Sequence, residues 1–115
     1  TLHTQDAAST IDRIIDVFPS HQRDQTRTLL ANILVGILSQ RLFPKAKGTG
    51  RVACTEMLIN NAAIKNLIRS EKMHQIPNTL QTSRDQGMHT MEMDMKQKAQ
   101  DGIINAVELI PYTTV

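Results

Sequence analysis

A mainly α-helical unit with one β-hairpin is the fold class that the sequence predicts, and two features carry that prediction. Apolar residues return at three- and four-residue spacing in several stretches bounded by Pro, Gly or Asn. In the middle of the chain, two short apolar-rich runs, "ILSQRLF" and "RVACTEMLI", flank the turn-forming "PKAKGTG". With 115 residues, 40% hydrophobic and 21% charged, the chain can build one modest core and is too short for two domains.

Taken in order, Ala8, Ile11, Ile15 and Phe18 mark one face of a helix over 7–18, with Asp12, Arg13 and Asp16 off the stripe. Asp6 is its N-cap and Pro19 its stop. Ser20 caps a second helix, whose stripe of Leu29, Leu30, Ile33, Leu34 and Ile37 is interrupted by Gly36. The hairpin follows. Asn61 then caps a third helix, with Ala63, Ile64, Leu67 and Ile68 on the buried side and Lys65, Asn66 and Arg69 on the exposed side. Pro77 forces a break or a new helix start. Met88, Met91, Met95 and Ala99 fall in register on a further helix ending at Gly102, and "NAVE" from Asn105 resembles a capping box for a short last helix.

Composition narrows the function classes. A net charge of +2 with 3% aromatic residues and no Trp gives bases little to stack on, so nucleic acid is not the expected partner. Cys54 is the single cysteine, which excludes an internal disulfide, and its apolar setting predicts a buried thiol in a reducing compartment. No run of eighteen apolar residues occurs, and the N-terminus lacks a basic region followed by an apolar stretch, so neither a membrane span nor a signal peptide is expected. The start at "TLHT", without an initiator Met, reads as a cut from a longer chain.

Chemistry-bearing patterns are few. Gly48 and Gly50 lie in "KGTGR", but G-x-x-x-x-G-K-[ST] is absent from the sequence, so these glycines are expected to shape a hairpin turn. His3, His21, His74 and His89 have no metal-ligand spacing, and no base is delivered to Cys54 by local geometry. The methionines read as adaptable core filling. From Gln25 to Thr55 no acidic residue occurs, whereas Arg27, Arg41, Lys45, Lys47 and Arg51 do. That basic stretch is either a solvated loop or a surface attracted to anionic lipid or an acidic partner.

Ordered blocks running through nearly the whole chain then carry a resemblance: "TLHT…AASTIDRIIDVFP", "QTRTLLANIL", "KGTGRVACTEMLI", "AAIKNLIRSEKMHQI", "LQTS…GMHTM" and "DGII". In this order they resemble the C-terminal half of the type IV pilus retraction ATPases, the PilT family of secretion-type hexameric motors. The resemblance implies an α/β, RecA-like P-loop NTPase as the parent, with residues 1–115 forming the C-terminal portion of its motor domain. "TLHT" is similar to the end of the family's His box, which makes His3 the one residue matching a catalytic motif. The P-loop, the acidic metal-site motif and the basic residues reaching from a neighbouring subunit would precede Thr1. The piece is therefore expected to be inactive alone and to bind neither ATP nor Mg2+ by itself, although the parent would use both.

"AIKNLIRS", from Ala63 to Ser70, is similar to the family's "AIRNLIRE" segment, linked to retraction and not to ATP binding. Ala63, Ile64, Lys65, Asn66, Leu67, Ile68 and Arg69 are thus the implied retraction residues. Lys65 and Ser70 depart from the family's Arg and Glu, and Pro77, Asn78 and Ser83 also differ. Further implications are a homo-hexamer, an inner-membrane platform protein as partner, peripheral membrane association, and a cytoplasmic location at the inner face of the inner membrane. The rival readings are a divergent type II or type IV secretion ATPase fragment and a stand-alone helical adaptor or nucleic-acid-binding module.

Overall fold

The hairpin is the scaffold on which the rest packs. In a computed structural model, which describes residues 6–112, strands β1 (Gly36–Pro44) and β2 (Arg51–Ile59) pair antiparallel, from Gly36 opposite Ile59 to Pro44 opposite Arg51. Side chains alternate across such a ribbon, so Ile37, Ser39, Arg41 and Phe43 share a face with Val52, Cys54, Glu56 and Leu58. That face turns inward: Ser39, Phe43, Cys54, Glu56 and Leu58 are all buried. The opposite face leaves Leu38 and Leu42 exposed.

Helices cover the inward face in two groups. Helix α1 (Ala7–Asp16) starts where the Asp6 carboxylate accepts the Ser9 N–H at 2.7 Å. Its Ala7, Ile11 and Ile15 join Leu58 and the buried residues of α3 (Ala62–Arg69) and α4 (Ile76–Thr82) in one apolar cluster. Pro77 sits in the first turn of α4, where its missing N–H costs nothing, so it opens a helix. Helix α5 (Met91–Gln100) supplies Met91 and Met95 to a second cluster, with Phe43, Cys54, Ile104 and Leu109. Thr90 caps α5 by accepting the Met93 N–H.

Helix α2 (Arg23–Ile33) departs from its sequence stripe. It begins after a 3-10 turn at Ser20–Gln22 with no side-chain cap, so Ser20 does not play that role. Leu29 and Ile33 are 60% and 62% exposed, whereas Ala31 is fully buried and Leu30, Leu34 and Ile37 pack at the edge of the first cluster. The small Ala31 is the residue buried where α2 comes against α3, and this orientation swings Leu29 and Ile33 outward.

Other expectations also shift. Phe18 is exposed, because α1 ends at Asp16 before the stripe reaches it. Ala63 is exposed as well, since Ile64, Leu67 and Ile68 alone form the inward stripe of α3. Met88 is buried but precedes α5: His89 pairs with Met57 as an isolated β-bridge, which sends Met88 into the first cluster. The last helix is a 3-10 helix, Ala106–Tyr112, entered through the Glu108 N–H donating to the Asn105 carbonyl at 2.9 Å. Arg27 lies away from the hairpin turn and pairs with Asp24 and Glu71.

These placements separate two leucines that look alike in sequence. Leu58→Ala should cost about 2–5 kcal/mol by cavity formation, while Leu29→Ala should change stability by less than about 0.5 kcal/mol. Urea titration of both variants checks the orientation of α2; equal losses would contradict it.

Candidate functional site

Helix α3 is built as a rigid presenting surface. The Asn61 side chain accepts the Ile64 N–H at 2.9 Å, fixing its start, and Ile64, Leu67 and Ile68 anchor it in the core. Lys65 is half-buried, while Asn66 and Arg69 are exposed. The Arg69 guanidinium donates through Nη2 to Asn32 Oδ1 at 2.6 Å, joining α3 to α2. A second tie runs from Arg27 Nη1 to Glu71 Oε1 at 2.7 Å, with Glu71 in the left-handed region at φ 59°. Asn60, just before α3, donates Nδ2 to the carbonyls of Ala31 and Leu34 at 2.9 and 2.7 Å and so satisfies the end of α2. This face offers hydrogen-bond donors and positive charge on an anchored helix, without a paired acid and base.

The structure brings together a different polar set that sequence reasoning missed. Glu56 is buried at the centre of the hairpin's inner face, between the two apolar clusters. Its Oε2 accepts the Ala7 N–H at 2.6 Å and its Oε1 accepts the Met91 N–H at 3.2 Å. One carboxylate thus meets the positive ends of both α1 and α5. Burial pushes the Glu56 carboxyl above its ordinary 4.5, even though the two N–H bonds pull it down. The available signal was parity: Glu56 stands two residues from Cys54 and from Leu58, and so on their face of the strand.

A second carboxylate tethers α5 to the other side of β2. Asp94 Oδ2 accepts the Thr55 N–H at 2.7 Å and lies 3.3 Å from Thr55 Oγ1, while Lys98 Nζ donates to Asp94 Oδ1 at 2.7 Å. Thr55 Oγ1 also hydrogen-bonds His89 Nε2 at 2.9 Å. Burial alone would raise Asp94, but the Lys98 and Thr55 bonds outweigh it and hold the carboxyl below its ordinary 3.8. Cys54 beside this group is pushed up by burial and by the Asp94 charge.

Between α1, α4 and α5 lies a cleft of about 650 Å³ whose wall includes Asp6, Asp12, Glu56, Glu92, Arg41 and His74. Four carboxyl groups against Arg41 and His74 give phosphates a wall of the wrong sign, so no nucleotide step is assigned to it. Among the described residues no three His, Cys, Asp or Glu side chains converge as a metal site. His21 and His74 are exposed and apart from His89. His3 lies outside the described residues.

Comparison with known proteins places this arrangement. No protein-family model matches the chain. It is 44% identical over 104 residues to a twitching motility protein of Neisseria gonorrhoeae, covering 90% of this chain and 28% of that protein. It is 43% identical over 105 residues to the type IV pilus retraction ATPase PilT of Pseudomonas aeruginosa, covering 91% and 30%. The crystal structure of the pilus retraction motor PilT with bound ADP superposes over all of this chain and 32% of its own, with a TM-score of 0.86 and 40% identity. The chain therefore spans a little under a third of the length of the curated relatives it matches.

The two carboxylates should respond to acid in opposite senses. Glu56 binds its proton more tightly folded than unfolded, so its contribution rises as pH falls towards 4.5. Glu56→Gln should cost about 1–3 kcal/mol by leaving one helix N–H unmet, a deficit that widens on acidification from neutral pH. Asp94 contributes stability above 3.8 that is lost as pH falls through its lower folded value. The deficit of Asp94→Asn should accordingly shrink below that pH. Denaturant titrations across pH read both trends, and parallel curves would refute the assignments.

Proposed function

We propose that the chain, a relative of the type IV pilus retraction ATPases, is the C-terminal portion, residues 1–115, of a RecA-like motor domain that drives pilus retraction. The observation that carries this reading is the 0.86 TM-score at 40% identity to the ADP-bound retraction motor, over the full chain. Similarity to two curated relatives, one named for twitching motility and one for pilus retraction, favours the same function over an adaptor or a nucleic-acid module. In this reading the parent binds ATP with Mg2+, assembles as a homo-hexamer and works against an inner-membrane platform protein from the cytoplasmic side. No helix among the described residues is long and apolar enough to cross a membrane.

The role left to this segment is transmission. His3 would approach the nucleotide from the end of the His box. Ala63 to Arg69 would present Lys65, Asn66 and Arg69 to a neighbouring surface, while Ile64, Leu67 and Ile68 keep α3 rigid against the core. Arg69 is the critical member, because its hydrogen bond to Asn32 makes α2 follow α3 and exchange of that bond for an outside partner would register subunit movement. Lys65 supplies a point charge where the family's Arg would offer a planar fork, so its contact is less directional.

Two experiments test this. The polypeptide upstream of Thr1 should contain G-x-x-x-x-G-K-[ST] followed by an acidic motif; an initiator Met immediately before Thr1 would end the motor reading. In the full-length protein, Lys65→Ala combined with Arg69→Ala should leave ATP hydrolysis at the parental rate and abolish twitching. Normal twitching, or an equal loss of both activities, would remove the transmission role.

A further inference from the structure

The turn of the hairpin carries charge that neither α3 nor the Glu56 junction uses. Lys45, Lys47 and Arg51 are all exposed, and among the described residues none of them joins an ion pair. The turn that presents them is fixed in place. The Lys45 N–H donates to the Gly50 carbonyl at 3.2 Å, and the Ala46 N–H donates to the Ile103 carbonyl at 2.8 Å, tying the turn to the segment that follows α5. Gly48 and Gly50 take φ of 78° and 99°, and a Cβ built on either would meet nothing within 4 Å. The turn is open on that side.

Exposed apolar side chains also lie on the 3-10 helix that follows the tied segment. Residues three apart eclipse one another in a 3-10 helix, so Val107 and Ile110, 65% and 68% exposed, point the same way. Leu109 between them is buried in the cluster that also holds Phe43, the residue just before the turn. The acids on the adjoining segment leave the positive charge in excess. Asp94 is paired with Lys98, so the exposed Asp101, held only by the neutral Gln97 Nε2 at 3.1 Å, and the exposed Glu108 set two acids against the three cations Lys45, Lys47 and Arg51.

We infer that this end of the molecule docks on an anionic bilayer surface, with Lys45, Lys47 and Arg51 meeting lipid phosphates and Val107 and Ile110 reaching the apolar layer beneath. Cations joined to exposed aliphatic groups are the combination that headgroups and acyl chains reward together. An acidic peptide fits less well, because the Lys45 and Ala46 N–H groups are already donated inward and offer it no edge to pair with. The assignment stands apart from the motor reading, since vesicle binding is measured without ATP.

The test is co-sedimentation of the full-length polypeptide with phosphatidylcholine vesicles, with and without phosphatidylglycerol. Binding should require phosphatidylglycerol and weaken as salt is raised. Each basic residue near such a surface is worth about fivefold in partitioning, so Lys45→Gln, Lys47→Gln and Arg51→Gln together should lose roughly a hundredfold. Val107→Ser with Ile110→Ser, leaving every charge in place, should also weaken binding. Parental binding by the triple variant overturns the assignment, as does a parent indifferent to phosphatidylglycerol. Capture by immobilised polyglutamate without vesicle binding overturns it too, and gives the turn to a protein partner.

Discussion

Two helices of this chain begin on the same carboxylate. The first N–H groups of a helix have no partner within it, and Ala7 of α1 and Met91 of α5 both find theirs on Glu56. Glu56 stands on β2 between Leu58, which belongs to the α1–α3–α4 cluster, and Cys54, which belongs to the α5 cluster. A purely apolar residue there would join the clusters by contact but leave two buried donors unmet. The carboxylate instead pins the first residue of each helix to β2. Its burial carries a cost, seen in its raised pKa, and the geometry it imposes is the return on that cost.

Asp94 repeats the logic from the helix side. It takes the Thr55 N–H on the edge of β2 that β1 does not use, and Lys98 neutralises it. With Met57 and His89 exchanging backbone bonds on that same edge, the outer side of β2 is engaged at Thr55 and Met57. The α2–α3 pair is joined by exposed and half-exposed groups, Arg69 with Asn32 and Arg27 with Glu71. The buried Glu56 and the half-buried Asp94 therefore hold α1 and α5 to β2, whereas the half-buried Arg27 and the exposed Arg69 link α2 to α3 and the residue just past its end. Interactions between exposed charged and polar groups are individually weak and easily exchanged, which fits the transmission role proposed for α3.

Much of the fold was legible because local signals agreed with tertiary packing. Asp6 and Asn61 cap as their positions suggest, the two strands fall on the runs that flank "PKAKGTG", and Pro77 opens a helix. The misreadings share one cause. Leu29, Ile33, Phe18 and Ala63 fit an apolar period, but periodicity gives a stripe without saying which neighbour selects it, and packing chose Ala31 over the larger leucine and isoleucine. Met88 matches Met91 in spacing yet lies outside α5, because the intervening His89 makes a bridge that no helical pattern announces. Glu56 and Asp94 were invisible as a junction, since their partners lie 49, 35 and 39 residues away. The α3 face was singled out only through its likeness to "AIRNLIRE", because Lys, Asn and Arg on a polar face look the same on any helix, and its role remains the one proposed above.

The single thiol acquires a use from its location. Cys54 is fully enclosed where β2, α5 and the final 3-10 helix converge, and its proton is held more tightly than that of a free cysteine, so an alkylating reagent meets neither an accessible sulfur nor a thiolate. Labelling must wait for α5 to lift from the hairpin. The rate of modification then measures how often that happens, which turns one native atom into a clock for breathing at the Glu56 junction without any added probe.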